Sequence, residues 1–298
     1  MSDLPLGWMS DIVLGTWRLH SWDWSEREIR TWIGGGLDLG IDTFDLADVY
    51  GGYTTESVFG AALRQDPGLT ARIKLVTKCD IRVPAPAAPN NDVHIYDTST
   101  AYIVAAAERS LVELGVERID LLLLHRQDPL TNPDEVAEAF VRLRDEGKVA
   151  EFGLSNASPT YVAMLRAKLP VPLVTNQIEA SLLRLDPFTD GTFDQAVECS
   201  MPPMAWSPLA GGRLASGAID AEREVRVRAE LDRVAADLNA PREAVALAFL
   251  MRHPAGVRPI VGTRDLGRLG RLAEARDVSL SRPQWFDLWR ASTGEPIP

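Results

Sequence analysis

Short apolar runs alternate with longer amphipathic segments along most of the chain. A few consecutive apolar residues bounded by turn formers read as a buried strand. Apolar residues at three-to-four spacing read as a helix packed by one face. Strands are predicted at Thr43–Leu46, Ile73–Thr77, Ile119–Leu124, Ala150–Leu154, Leu173–Asn176, Met204–Trp206 and Val257–Val261. The eighth is Ile12–Leu14, closed by Gly15, or an equivalent near the start. Helices are predicted at Ser25–Leu37 with Ser25 as cap, Ser57–Leu63 capped by Thr54 or Thr55, Ser99–Leu114, and Pro133–Glu146 ending at Gly147. Others follow at Pro159–Ala167, Phe188–Glu198, Glu222–Leu238, Arg242–His253, Asp265–Ala275 and Pro283–Ala291.

Strand–helix alternation favours a parallel sheet. A doubly wound open sheet shares that order, but no Gly-x-Gly-x-x-Gly turn follows an early strand, and Gly34-Gly35-Gly36 falls late in a helix. The expected architecture is therefore α/β, a (β/α)8 TIM barrel, in one domain over residues 1–298. The segment Val83–Asn91, rich in proline, is expected as a loop overhanging the end of the barrel where sites lie.

Composition narrows the partners. A net charge of −11 repels phosphate backbones, so nucleic acid is not expected, and any bound phosphate needs a local cationic cluster. Two cysteines, Cys79 and Cys199, support neither a disulfide framework nor a Cys-type zinc site. His20, His94, His125 and His253 are scattered, so no metal is expected. Met1–Pro5 lacks the basic and apolar regions of a signal peptide, and no apolar run is long enough to span a membrane. A cytoplasmic monomer acting on a small molecule is the default expectation.

Polar residues recur where strands end. Asp45 ends one predicted strand and Tyr50 lies in the loop beyond it. Lys78 and His125 follow the next two strands, Ser155 and Asn156 the next, and Gln177 the one after. In a parallel barrel these ends share one face. Singly, each admits a plainer reading: a turn cap for Asp45, loop packing for Tyr50, a solvated charge for Lys78, a core histidine for His125. Together they suit one chemistry. Carbonyl reduction needs a hydride on carbon and a proton on oxygen. Tyrosine is a reluctant acid with a pKa of about 10, and a neighbouring ammonium eases its proton loss. An aspartate holds that lysine charged, and a histidine can orient the carbonyl oxygen.

These residues resemble the aldo-keto reductase family, and the similarity runs from about Gly15 to the C-terminal helix. The matching motifs are Gly40-Ile-Asp-Thr-Phe-Asp-Leu-Ala-Asp-Val-Tyr-Gly51, Lys74-Leu-Val-Thr-Lys78, Asp120-Leu-Leu-Leu-Leu-His125, Gly153-Leu-Ser-Asn156, Asn176-Gln177 and Trp206-Ser-Pro-Leu209. Gly15-Thr-Trp-Arg18 and Pro283-Gln-Trp-Phe286 look most like a bacterial branch of oxidoreductases. The resemblance implies a catalytic tetrad of Asp45, Tyr50, Lys78 and His125, and NADPH/NADP+ as cofactor. It implies that Ser155, Asn156 and Gln177 hold the nicotinamide carboxamide and that Trp206 stacks on the ring. The loop carrying Ser207, Leu209, Gly211 and Gly212 would follow the pyrophosphate. Thr263 and Arg268 fall where the family holds the 2′-phosphate, and an arginine fork suits phosphate. Two departures stand out. Gly262 replaces a frequent lysine, with Arg264 or Arg271 as candidate substitutes, and Leu272 replaces a frequent asparagine.

Trp17, Trp22, Trp24 and Tyr53 are expected to line the substrate pocket, favouring apolar or aromatic carbonyls. His94 and Tyr96 are expected at its mouth. Two other classes share the barrel: an NADPH-binding regulatory or sensor subunit, and an aldolase using Lys78 as a Schiff base.

Overall fold

The computed structural model describes residues 7–297. The chain start Met1–Pro5 falls outside them. Eight parallel strands close into a barrel: β1 (Val13–Gly15), β2 (Thr43–Asp45), β3 (Lys74–Cys79), β6 (Ile119–Leu124), β7 (Val149–Ser155), β8 (Leu173–Glu179), β9 (Met204–Trp206) and β10 (Arg258–Val261). Between β3 and the helix Thr100–Leu114, β4 (Ile81–Arg82) and β5 (Ile95–Tyr96) form a small antiparallel hairpin outside the barrel.

Strand alternation sorts the core into layers. In β6, Leu121 and Leu123 point inward and meet Val13, Val76, Val174, Met204 and Ile260. Their neighbours Leu122 and Leu124 point outward, in one cluster with Phe152 of β7 and the helix residues Leu111 and Phe140. Two further clusters continue this outer layer around the ring. The barrel interior is thus a filled core, and the same period of two decides what stands at its C-terminal rim. One step beyond the inward residues Val76 and Leu123 come Lys78 and His125.

Local sequence sets the helix boundaries. Ser25 caps Glu26–Asp38 with a reciprocal capping box, its N–H donating to Glu28 Oε2 at 2.8 Å. Ser99, Ser158 and Asp265 cap other helices by their side chains. Gly115 ends Thr100–Leu114 in the left-handed conformation that glycine tolerates.

Two predictions change, and two short elements were not foreseen. The helix expected over Phe188–Glu198 is a 3₁₀ turn at Asp186–Phe188 and a separate helix Thr192–Glu198, because Gly191 between them has φ +88°. Thr54 makes no side-chain cap; its hydroxyl donates back to the Gly51 carbonyl at 2.9 Å. The short helix Pro67–Thr70 and the β4–β5 hairpin are too brief to give a periodic signal.

Candidate active site

The side chains at the rim converge. Lys78, fully buried at the end of β3, donates to both carboxylate oxygens of Asp45 at 2.8 and 2.9 Å. It also donates to the Leu46 carbonyl at 2.5 Å and to the Tyr50 hydroxyl oxygen at 3.2 Å. Those three groups occupy the three donors of an ammonium. Because the ammonium can only donate, the Tyr50 oxygen is the acceptor in that pair. Its own O–H hydrogen is therefore free to point elsewhere. Asp45 is held from three sides: its carbonyl accepts from Thr16 N and Oγ1, both at 3.0 Å, and its Oδ1 also accepts from Gln177 Nε2 at 2.7 Å.

His125 closes the group, with its ring edge-on to Tyr50 and the centroids 5.9 Å apart. Its Nδ1 is buried with no partner among the described residues. Burial first, then the positive charges of Lys78 and Arg126, push the imidazole well below its ordinary pKa, so the ring is neutral near pH 7. Burial raises the Tyr50 phenol, and the Lys78 charge opposes that rise. Burial also works against the Lys78 ammonium, but Asp45 and Tyr50 outweigh it and the net shift is upward.

A cavity of about 610 Å³ opens over these residues and runs along the rim to the far side of the barrel. Asp45, Tyr50, His125, Ser155, Asn156, Gln177 and Trp206 line one end; Ser207, Leu209, Gly211, Gly212, Gly262, Thr263, Arg268 and Leu272 continue it. Lys78 lies beneath, bonded to the lining residues Asp45 and Tyr50. The Asn156 amide is already engaged, donating to Ser155 Oγ at 2.8 Å and the His125 carbonyl at 3.3 Å while accepting from Trp206 Nε1 at 3.0 Å. Gln177 is tied to Asp45, a second contact the sequence did not foretell.

The far end is shaped by backbone. Ser207, Ala210, Gly211 and Gly212 all have positive φ, and a Cβ added at Gly211 or Gly212 would meet nothing within 4 Å. At Gly262 the nearest atom to such a Cβ is the Gly15 carbonyl oxygen at 3.5 Å. This glycine-lined open channel fits a long ligand that approaches the backbone closely. The Arg268 guanidinium donates to Ser216 Oγ, and among the described residues it has no carboxylate partner. Arg271, a candidate substitute for the missing lysine at Gly262, is instead paired with Glu243 at 2.8 Å.

The expected substrate-pocket aromatics separate. Trp17 lines the cavity and is 60% exposed. Trp22 and Trp24 do not line it. Their rings lie 4.7 Å apart, tilted by 59°, and both pack edge-on against Trp32 beneath. Tyr53 is also outside the lining; its hydroxyl donates to the Ile81 carbonyl and accepts from Val83 N, each at 3.0 Å, pinning the root of the proline-rich loop. That loop, with His94 and Tyr96, contributes no lining residue. The packing surface under the tryptophans and the hairpin beside Tyr53 are tertiary features, so sequence proximity to the site misdirected these assignments. Conversely, Arg18, Val49 and Arg126 line the cavity and were not singled out. For Arg126 a signal was available: it follows His125 at the same strand end.

The family model for the aldo/keto reductase family matches residues 11–291. The chain belongs to the aldo/keto reductase family. It is 44% identical over 290 residues to an uncharacterized oxidoreductase, YcsN, of Bacillus subtilis (strain 168), covering 97% of this chain and 96% of that one. It is 40% identical over 290 residues to 6-dehydroglucose reductase of Agrobacterium fabrum (strain C58 / ATCC 33970), covering 97% and 96%. The structure superposes on glycerol dehydrogenase AKR11B4 from Gluconobacter oxydans with a TM-score of 0.82 at 25% identity, covering 97% of this chain and 94% of that one. As an aldo/keto reductase, the protein is an oxidoreductase of carbonyl groups whose family generally uses nicotinamide cofactors. No helix among the described residues is long and apolar enough to cross a membrane.

Proposed function

We propose that this aldo/keto reductase reduces aldehydes or ketones to alcohols with NADPH, using Tyr50 as proton donor. The observation that carries the reading is the donor count at Lys78. All its hydrogens are committed, one of them to the Tyr50 oxygen, so the tyrosine hydrogen is left for a substrate. A bound reduced nicotinamide would supply the hydride. The neutral His125 ring is suited to donate a hydrogen bond to the same carbonyl oxygen and fix its position beside the phenol. As the phenol gives up its proton, the Lys78 ammonium stabilises the phenolate, and Asp45 with the Leu46 carbonyl keeps that ammonium charged and still. A lysine held charged in this way is unsuited to attack a carbonyl, which argues against the Schiff-base alternative.

The open channel of Gly211, Gly212 and Gly262 fits a pyrophosphate-bearing cofactor, and Arg268 and Thr263 at its end are suited to a 2′-phosphate. The Asn156 and Gln177 amides, with Ser155, stand beside Trp206 where a carboxamide would exchange for the present hydrogen bonds. Two relatives named as 6-dehydroglucose reductases, at 40% and 37% identity, make a sugar-derived carbonyl compound the first substrate to assay.

Tyr50→Phe is the direct test. It keeps the ring and removes the proton, so turnover should fall by about 10² to 10⁴, while NADPH binding by tryptophan fluorescence stays within about twofold. Full activity in a folded Tyr50→Phe variant removes Tyr50 as donor. A wild-type enzyme that binds NADPH but turns over no carbonyl compound supports the sensor alternative.

A further inference from the structure

Asp80 is a costly residue with no part in the chemistry described above. It is completely buried, directly beyond the end of β3, and its φ is +95°. A side chain with a Cβ rarely adopts that backbone, and such outliers persist only where their surroundings enforce them. Burial pushes its carboxyl well above the usual carboxylate range, aided by Asp48 and Asp128 and opposed by backbone N–H groups. Glycine would suit the backbone here, and an apolar residue would suit the burial.

What the aspartate offers is a specific pair of contacts. The backbone N–H of Arg126 reaches both carboxyl oxygens, at 3.2 and 3.1 Å. The preceding carbonyl, Cys79 O, accepts from His125 N at 2.9 Å, and the Asp80 carbonyl accepts from Asp97 N at 2.8 Å. Residues 78–80 therefore join the proton-transfer group to the next strand end: Lys78 faces Tyr50, Cys79 holds His125 and Asp80 holds Arg126. His125 and Arg126 both line the cavity. The chain leaves β6 at His125, so nothing in the regular barrel ladder holds the Arg126 amide.

We propose that Asp80 is a positioning residue: its carboxyl group clamps the His125–Arg126 turn and so fixes the imidazole and the Arg126 guanidinium at the substrate end of the cavity. This rests on the carbonyl reductase reading for its effect on turnover, but the clamp itself is testable without it. The backbone strain makes the test discriminating, because Asp80→Gly removes the carboxylate and relieves the φ at once. Asp80→Asn retains one acceptor oxygen, and asparagine tolerates positive φ.

In Asp80→Gly, amide hydrogen exchange at Arg126 should quicken by about tenfold or more while Tm stays within a few degrees. With 4-nitrobenzaldehyde and NADPH, kcat should fall by about 10- to 100-fold, the scale of a misplaced reacting group. The NADPH Kd should remain within about twofold. Asp80→Asn should recover most of both the exchange protection and kcat. Unchanged exchange at Arg126 in Asp80→Gly overturns the clamp. So does a large drop in Tm with exchange quickened evenly over the barrel, which assigns Asp80 a general packing role. If the wild-type enzyme reduces no carbonyl, the reductase reading fails while the exchange experiment still decides the clamp.

Discussion

At the scale of single residues, this rim concentrates buried ionisable groups, and each solves its desolvation differently. Lys78 and Asp45 do so by pairing, with every ammonium hydrogen used. Asp48, two residues before Tyr50, does not. Its Oδ2 accepts from Arg109 Nη2 at 3.0 Å, but its Oδ1 is buried without a partner among the described residues. Burial first, then the neighbouring Glu56, raises its pKa from 3.8 to about 8 against the opposing pull of Arg109. Arg109 is itself partly exposed, so the contact is best regarded at neutral pH as a hydrogen bond to a protonated acid rather than as an ion pair. The sign of the linkage follows. Between those two pKa values the folded acid keeps a proton that the unfolded chain has released. Stability from this group therefore falls as pH rises through that interval, by at most about 1.4 kcal/mol per pH unit. Asp48→Asn should stabilise the protein, more at pH 8 than at pH 5. Urea unfolding at the two pH values checks it; an equal change at both removes the titration account.

At the scale of elements, the helices are specified locally and the loops are not. Ser25 shows the first case. The Ser-x-x-Glu spacing at residues 25–28 is legible in the sequence and forms the capping box in the structure. Ser25→Ala should cost about 1 kcal/mol of stability and leave kcat unchanged, because the cap lies outside the cavity lining. Urea unfolding read beside turnover tests both halves. The second case is the loops after β1 and β2 and the excursion after β3. Trp22, Trp24 and Tyr53 are near the site in sequence, but their partners, Trp32 and the β4–β5 hairpin, are brought to them only by folding. A loop aromatic turns toward a cavity or away from it according to which surface lies beneath, and no local pattern encodes that surface.

At the scale of the whole molecule, closure of the barrel assembles the cavity from segments as distant as Gly15 and Arg268. The acidic chain, with its net charge of −11, must hold a phosphate through a local cation. Arg268 is the candidate, its guanidinium free of carboxylate partners among the described residues, whereas Arg271 is committed to Glu243. Arg268→Ala should weaken NADPH binding by about 1.5–3 kcal/mol, roughly tenfold to a hundredfold in Kd, and leave NADH binding unchanged. Fluorescence titration with both cofactors checks it. Equal losses for the two would show that Arg268 touches something other than the 2′-phosphate.

The order of the barrel strands and the placing of Lys78 and His125 at strand ends were both legible in the sequence alone. The period of two and the βαβ rhythm are local properties, and a parallel barrel converts them into position without further information. What only the tertiary structure decided is which neighbour wins at an irregularity. In β8, Val174 points inward, so strict alternation would send Asn176 in and Gln177 out. The pairing with β7 slips between Phe152 and Leu154, where Leu173 and Asn176 are their partners. That extra residue is a bulge, and it reverses the faces. Asn176 turns outward to bond the Ala157 backbone at 3.2 and 2.8 Å, and Gln177 turns inward to Asp45. A register slip arises from the fit between two strands, so neither strand's own sequence contains it.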